Sequence, residues 1–152
     1  MDARTADVIR KKLDYLEKTL VEIEPYLKAG YAEYTRQPAY RRATERLVQI
    51  IIEAAGDTSE LLLQAAGRPA PGTMREAFGG IRDLGAIDDV LFERFNRTYV
   101  GLRNRIVHDY ETLDNRILFD SAGRLRKDTR VFLKSVTAYL TSMGSKRSGH
   151  TR

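Results

Sequence analysis

The feature that most constrains this chain is the spacing of its apolar residues, which recur at steps of three and four along nearly its whole length. Leu13, Leu16, Leu20, Ile23 and Leu27 form one such stripe, and Phe92, Phe95, Tyr99, Leu102 and Ile106 form another. That period lines side chains along one face of an α-helix. No run of β-branched residues alternates with period two, so a sheet has no candidate strand. An all-α fold is expected.

Punctuation divides the pattern into helices. A first helix is expected over residues 6–29, with Pro25 kinking or ending it and Gly30 as a stop. A second starts at Pro38 and runs over 38–66, on the stripe Ala43, Leu47, Ile50, Ile51, Ala54, Leu61 and Leu62. Gly67, Pro69, Pro71 and Gly72 then break the chain. Thr73 can cap a short helix through "MREAFGGIRDLG", with Glu76 at the capping-box position. A fourth helix is expected over 88–109. A fifth spans 115–142 with Asp114 as N-cap, on Leu118, Ala122, Leu125, Phe132, Val136, Tyr139 and Met143. Four long helices and a short one make an up-and-down bundle. The basic end "GSKRSGHTR" reads as a disordered tail, so 1–143 is taken as the domain and 144–152 as its tail.

The chain has 152 residues, enough for one self-supporting core. With no cysteine it has no disulfide framework and no thiol nucleophile, which fits a reducing, cytoplasmic setting. "MDARTADVIRKKLDYLEK" lacks the apolar centre of a secretory signal, and no apolar run could span a bilayer. The net charge of +5 permits a polyanionic partner without requiring one. Helices of 20–28 residues, about 30–42 Å long, are long for a compact monomer and point to a homodimer.

The chemistry concentrates in "GLRNRIVHDY", residues 101–110. The chain has two histidines, and His150 lies in the tail, so imidazole chemistry falls to His108. At about 100° per residue, Asn96, Arg103 and Tyr110 share one helix face and Asn104 and His108 another. Arg103 and His108 stand about 140° apart, so either the helix distorts or a second chain completes a joint site. Arginine holds phosphate through a planar donor fork, and histidine moves protons near neutral pH. Together they suit RNA cleavage by 2′-OH attack, with His108 transferring a proton and Arg103 stabilising the phosphorane. No metal and no cofactor are expected. The opposing reading is a solvated helix face with a histidine set against the helix dipole.

"LRNRIVHDY" resembles the Arg-x4-His-x-Tyr signature of HEPN-domain proteins, in particular the HepT toxins of HepT/MntA toxin–antitoxin systems. "RRATERLVQIIIEAAGDTSELLL" and "MREAFGGIRDLGAIDDVLFERFNRTYV" resemble that family's helices ahead of the motif, and the likeness covers about residues 10–141. The resemblance implies an all-helical homodimer that acts as a metal-independent ribonuclease, its motif in a cleft between protomers. It also implies a nucleotidyltransferase antitoxin of the MntA type as partner, RNA as substrate, and silencing by AMP transfer. Carried onto this sequence, Arg103 and His108 are catalytic, Asn104 orients them or the substrate, and Tyr110 accepts AMP. The adduct adds bulk and a negative phosphate within a turn of His108.

Asp109 either tunes His108 or is a solvated helix-end residue. Asp57 either faces the cleft or marks a bend beside Gly56, where close packing of another helix is expected. Arg105 is peripheral. Tyr15, Tyr26, Tyr31, Tyr34 and Tyr40 are expected in packing rather than base stacking. The alternative function is a non-catalytic HEPN module that binds nucleotide or RNA and serves chiefly as partner of a nucleotidyltransferase.

Overall fold

The structure is a computed structural model that describes the backbone of residues 1–148 and side chains of residues 1–144. His150 lies outside the described residues. Helix α1 spans Ala3–Ala29 and is capped by the Asp2 carboxylate, which accepts from the Thr5 N–H at 2.7 Å. Ile9, Leu13, Leu16, Leu20 and Ile23 are its buried stripe. Pro25 sits inside α1 without ending it. The helix stops at Gly30, whose φ of 92° lies in the region open to glycine. A short helix that the periodicity does not announce, α2 (Tyr31–Arg36), follows at once.

Helix α3, Pro38–Ala65, is the spine of the bundle. Its Pro38 opens the first turn, where a missing N–H costs nothing. Val48, Ile51, Ile52, Ala55, Leu62 and Leu63 are all buried, so α3 is covered on a wider arc than its single stripe suggests. Gly56 leaves α3 unbroken. A Cβ there would stand 3.0 Å from Met74 Cγ, the close packing expected at that glycine.

Helix α4 (Met74–Asp83) begins at Thr73, whose hydroxyl accepts from the Glu76 N–H at 3.1 Å. Glu76 in turn accepts from the Gly72 N–H at 2.7 Å, one residue before the capping-box partner. The expected fourth helix is one helical run with a widened turn inside it. It comprises α5 (Asp89–Arg94), a π-turn over Phe95–Tyr99, and α6 (Val100–His108). The Val100 N–H donates to the Phe95 carbonyl, the five-residue reach of a π-turn. Arg75 Nε, from α4, donates to the Asn96 carbonyl within that turn at 3.2 Å.

Tyr99 and Arg94 explain why the turn persists. Both donate to the buried carboxylate of Asp128, Arg94 at 2.7 Å. In a regular α-helix residues five apart point about 140° away from each other. The extra residue of the π-turn brings them round to one acceptor. Phe95 and Tyr99, inside the turn, also pack edge to face at 5.0 Å, and Phe95 meets Phe78 of α4 at 4.9 Å. Burying a side chain of this size stabilises the fold by roughly 1.5–3 kcal/mol.

Helix α7, Asn115–Ser148, starts where Asp114 accepts from the Ile117 N–H at 2.9 Å, and runs past the expected end at Ser142. Leu118, Ala122, Leu125, Phe132 and Val136 bury against α1 and α3 as the stripe requires, and Tyr139 packs at its edge. Among the described residues, no helix is long and apolar enough to cross a membrane.

Candidate active site

The motif helix α6 ends at His108. Asp109 leaves the helical conformation (φ −143°, ψ 44°), and Tyr110–Thr112 form a 3-10 turn. Tyr110 therefore leaves the face it would share with Asn96 and Arg103 on a continuous helix. Asn96 has also left that face, because it lies in the π-turn.

Arg103 is half-buried against α3. Its Nε donates to Glu53 Oε1 at 3.1 Å, and Gln49 Nε2 donates to the same oxygen at 3.0 Å. The Nη1 of Arg103 lies 3.4 Å from Asn104 Oδ1, a long contact that sets Asn104 beside the guanidinium. Glu53 thus occupies the Nε edge, while the outer edge of the fork faces away from its anchor. The π-turn contributes to this placement, since one extra residue turns everything after it by about 100°.

His108 is exposed at the end of α6, and no hydrogen bond joins it to Arg103 among the described residues. The two leave α6 in different directions. Asp109 is exposed, and its carbonyl accepts from the Thr112 N–H and hydroxyl at 3.1 and 3.0 Å. Its observed part is to close the helix and start the turn. Arg105 is exposed, as a peripheral residue should be.

Tyr110 reaches a different part of α3. It lines a shallow pocket of about 390 Å³ with Arg41, Glu45, Leu113 and Asn115. Hydrogen bonding to the Glu45 carboxylate holds its phenol above the ordinary tyrosine range; partial burial adds to this and Arg41 opposes it. Glu45 is 4 % exposed and also accepts from Tyr34 Oη at 3.1 Å.

Glu53 and Glu45 are the two site residues that the sequence reading missed. Each is a carboxylate set among buried positions of α3, and that interruption was their only signal. Asp57, one turn beyond Glu53, pairs with Lys12 at 3.4 Å. Both acids line a cleft of about 480 Å³ between α1 and α3, with Lys11, Lys12, Tyr15 and Arg46. Tyr15 is therefore an exposed cleft residue, not a packing one. Tyr34 is buried, with Tyr31 and Phe119 stacked or tilted against it, and Tyr26 meets Tyr40 edge to face.

The chain is 23% identical over 136 residues to a protein of Aphanizomenon flos-aquae (strain 2012/KM1/D3) named tRNA nuclease HepT, covering 90% of this chain and 92% of the other. Its fold superposes on a toxin–antitoxin crystal structure with AMP-PNP at a TM-score of 0.79, with 20% identity, over 87% of this chain and 98% of that one. It matches the tri-AMPylated Shewanella oneidensis HEPN toxin, solved in complex with its MNT antitoxin, at the same TM-score of 0.79 and 20% identity, over 91% and 99%. The family model described as Ribonuclease HepT-like matches residues 7–136, a span that holds α3, the π-turn and the whole motif. By that match the chain belongs to the HepT-like ribonuclease family.

Proposed function

We propose that this protein is an endoribonuclease toxin that cleaves RNA without a metal, through Arg103 and His108. The carrying observation is the anchoring of Arg103. Glu53 takes its Nε at 3.1 Å, so the outer edge of the guanidinium is pre-aimed and available to a phosphate. His108 stands exposed at the end of α6 and moves the proton of the attacking 2′-OH or of the leaving oxygen. Arg103 stabilises charge on the phosphorane, and Asn104 orients the guanidinium or the substrate. Asp109 serves the helix end.

Because Arg103 and His108 diverge on one helix, the working unit is a homodimer whose second protomer helps complete the cleft. Val107, 39% exposed beside the motif, gives that end of α6 an apolar contact to offer. Residues 1–143 form the working domain, and 144–152 add a dispensable basic extension. The partner is an MntA-type nucleotidyltransferase that silences the toxin by transferring AMP to Tyr110. The relative named a tRNA nuclease makes transfer RNA the first substrate to test.

The test is RNA cleavage by purified, unmodified protein in EDTA, beside Arg103→Ala and His108→Ala. Cleavage by the parent and a loss of about 100-fold or more in each variant is expected. Equal cleavage by parent and His108→Ala removes the catalytic assignment and leaves an RNA-binding or partner-binding module.

A further inference from the structure

Glu45 is a buried carboxylate that RNA cleavage does not use. It sits on α3, 4 % exposed, with three groups turned toward it from three elements. Tyr34 of α2 donates to it at 3.1 Å. Tyr110, from the turn after the motif helix, shares its pocket, and Arg41 of α3 lies at the same pocket's wall. A buried acid is retained in a core only where its oxygens are satisfied. Tyr34 accounts for one oxygen. The carboxylate also lines the pocket, where the one exposed phenol is that of Tyr110, 47% accessible.

We infer that Glu45 is the general base that prepares Tyr110 for nucleotidyl transfer, with Arg41 as the charge partner of the adduct. This rests on the reading of Tyr110 as the AMP acceptor. In the step, Tyr110 Oη attacks the α-phosphorus of ATP. A bond forms between Oη and that phosphorus as the bond from the α-phosphorus to the bridging oxygen breaks. Pyrophosphate leaves with the bond's electron pair, and the phenolic proton passes to the Glu45 carboxylate. The adduct's phosphodiester then lies beside a carboxyl group that has just lost its negative charge, and Arg41 neutralises the phosphate. The acceptor thus carries its own base, so a transferase need only deliver the triphosphate.

The experiment measures incorporation of α-labelled AMP by the cognate nucleotidyltransferase into the full chain, Tyr110→Phe, Glu45→Gln and Tyr34→Phe. Label in the parent and none in Tyr110→Phe is expected. Glu45→Gln should be modified about 100-fold more slowly, while cutting RNA at the parent rate, which shows that it is folded. The ratio of parent to Glu45→Gln rates should shrink as pH falls, with Tyr34, Tyr110, Arg41 and Glu111 the charged or titratable groups around that pocket. Tyr34→Phe removes a competing donor but keeps the ring, so its modification should be no slower than the parent's. An unchanged rate in Glu45→Gln, or a ratio indifferent to pH, overturns the role of Glu45 and leaves Tyr110 as acceptor. Label persisting in Tyr110→Phe overturns both.

Discussion

Glu53 holds Arg103 from 50 residues away in sequence, at 3.1 Å, and Gln49 holds Glu53 in turn. Both partners are only partly buried, with side chains 26% and 32% exposed, so the pair adds little to folding. An ion pair this accessible is worth about 0–1 kcal/mol. Its value lies in fixing where the guanidinium points.

Glu53→Gln should therefore separate activity from stability. RNA cleavage is expected to fall about 10-fold or more, chiefly in kcat, while the melting temperature moves by no more than a few degrees. Steady-state kinetics beside a thermal melt check this. A large loss of stability with unchanged kcat would make Glu53 a packing residue instead.

The Arg94–Tyr99–Asp128 contact predicts the reverse pattern. Tyr99→Phe keeps the ring against Phe95 but removes a buried donor from Asp128. The cost is about 1–3 kcal/mol, or roughly 2–4 °C of melting temperature per kcal/mol in a chain of this length. Cleavage at a temperature well below the melt should be retained. A melt identical to the parent's would mean that Arg94 alone satisfies Asp128.

Alkaline pH should weaken the fold. Tyr34 and Tyr99 are pushed above the ordinary tyrosine value of 10.0, first by burial and then by Glu45 and Asp128 respectively, and Tyr110 is raised by Glu45. Above that value the unfolded chain sheds phenolic protons that the folded chain keeps, so fewer protons are bound on unfolding and stability falls as pH rises. The contribution is complete below the unfolded value and is lost on the climb through the folded ones. Urea midpoints measured from about pH 8 upward should drop beyond pH ~10, and less so in Tyr99→Phe. A flat profile would contradict the buried pairings.

Much of this was legible in the sequence because burial follows period. Leu13, Leu16 and Leu20, or Leu118, Ala122 and Leu125, announce their faces without reference to anything distant. The caps Thr73 and Asp114 are equally local. The π-turn was not legible, since Phe92, Phe95, Tyr99 and Leu102 fit a regular helix as well. What selects the wider turn is Asp128, which lies on another helix. Glu45 and Glu53 escaped for the same reason: a charged residue in an apolar stripe is ambiguous until its partner is in place. Tyr110 was misplaced by a helix extrapolated past His108, where Asp109 turns the chain.

Helix α3 carries both of the carboxylates that meet the motif. Glu45 and Glu53 are eight residues apart, about 12 Å along the axis and about 80° around it. One rigid rod thus gauges the distance between Arg103, proposed to meet RNA, and Tyr110, proposed to accept AMP. Removing a single residue between them would shorten that gauge by about 1.5 Å and twist it by about 100°. A chain so altered could keep a weapon or a safety catch, but the two would no longer be in register.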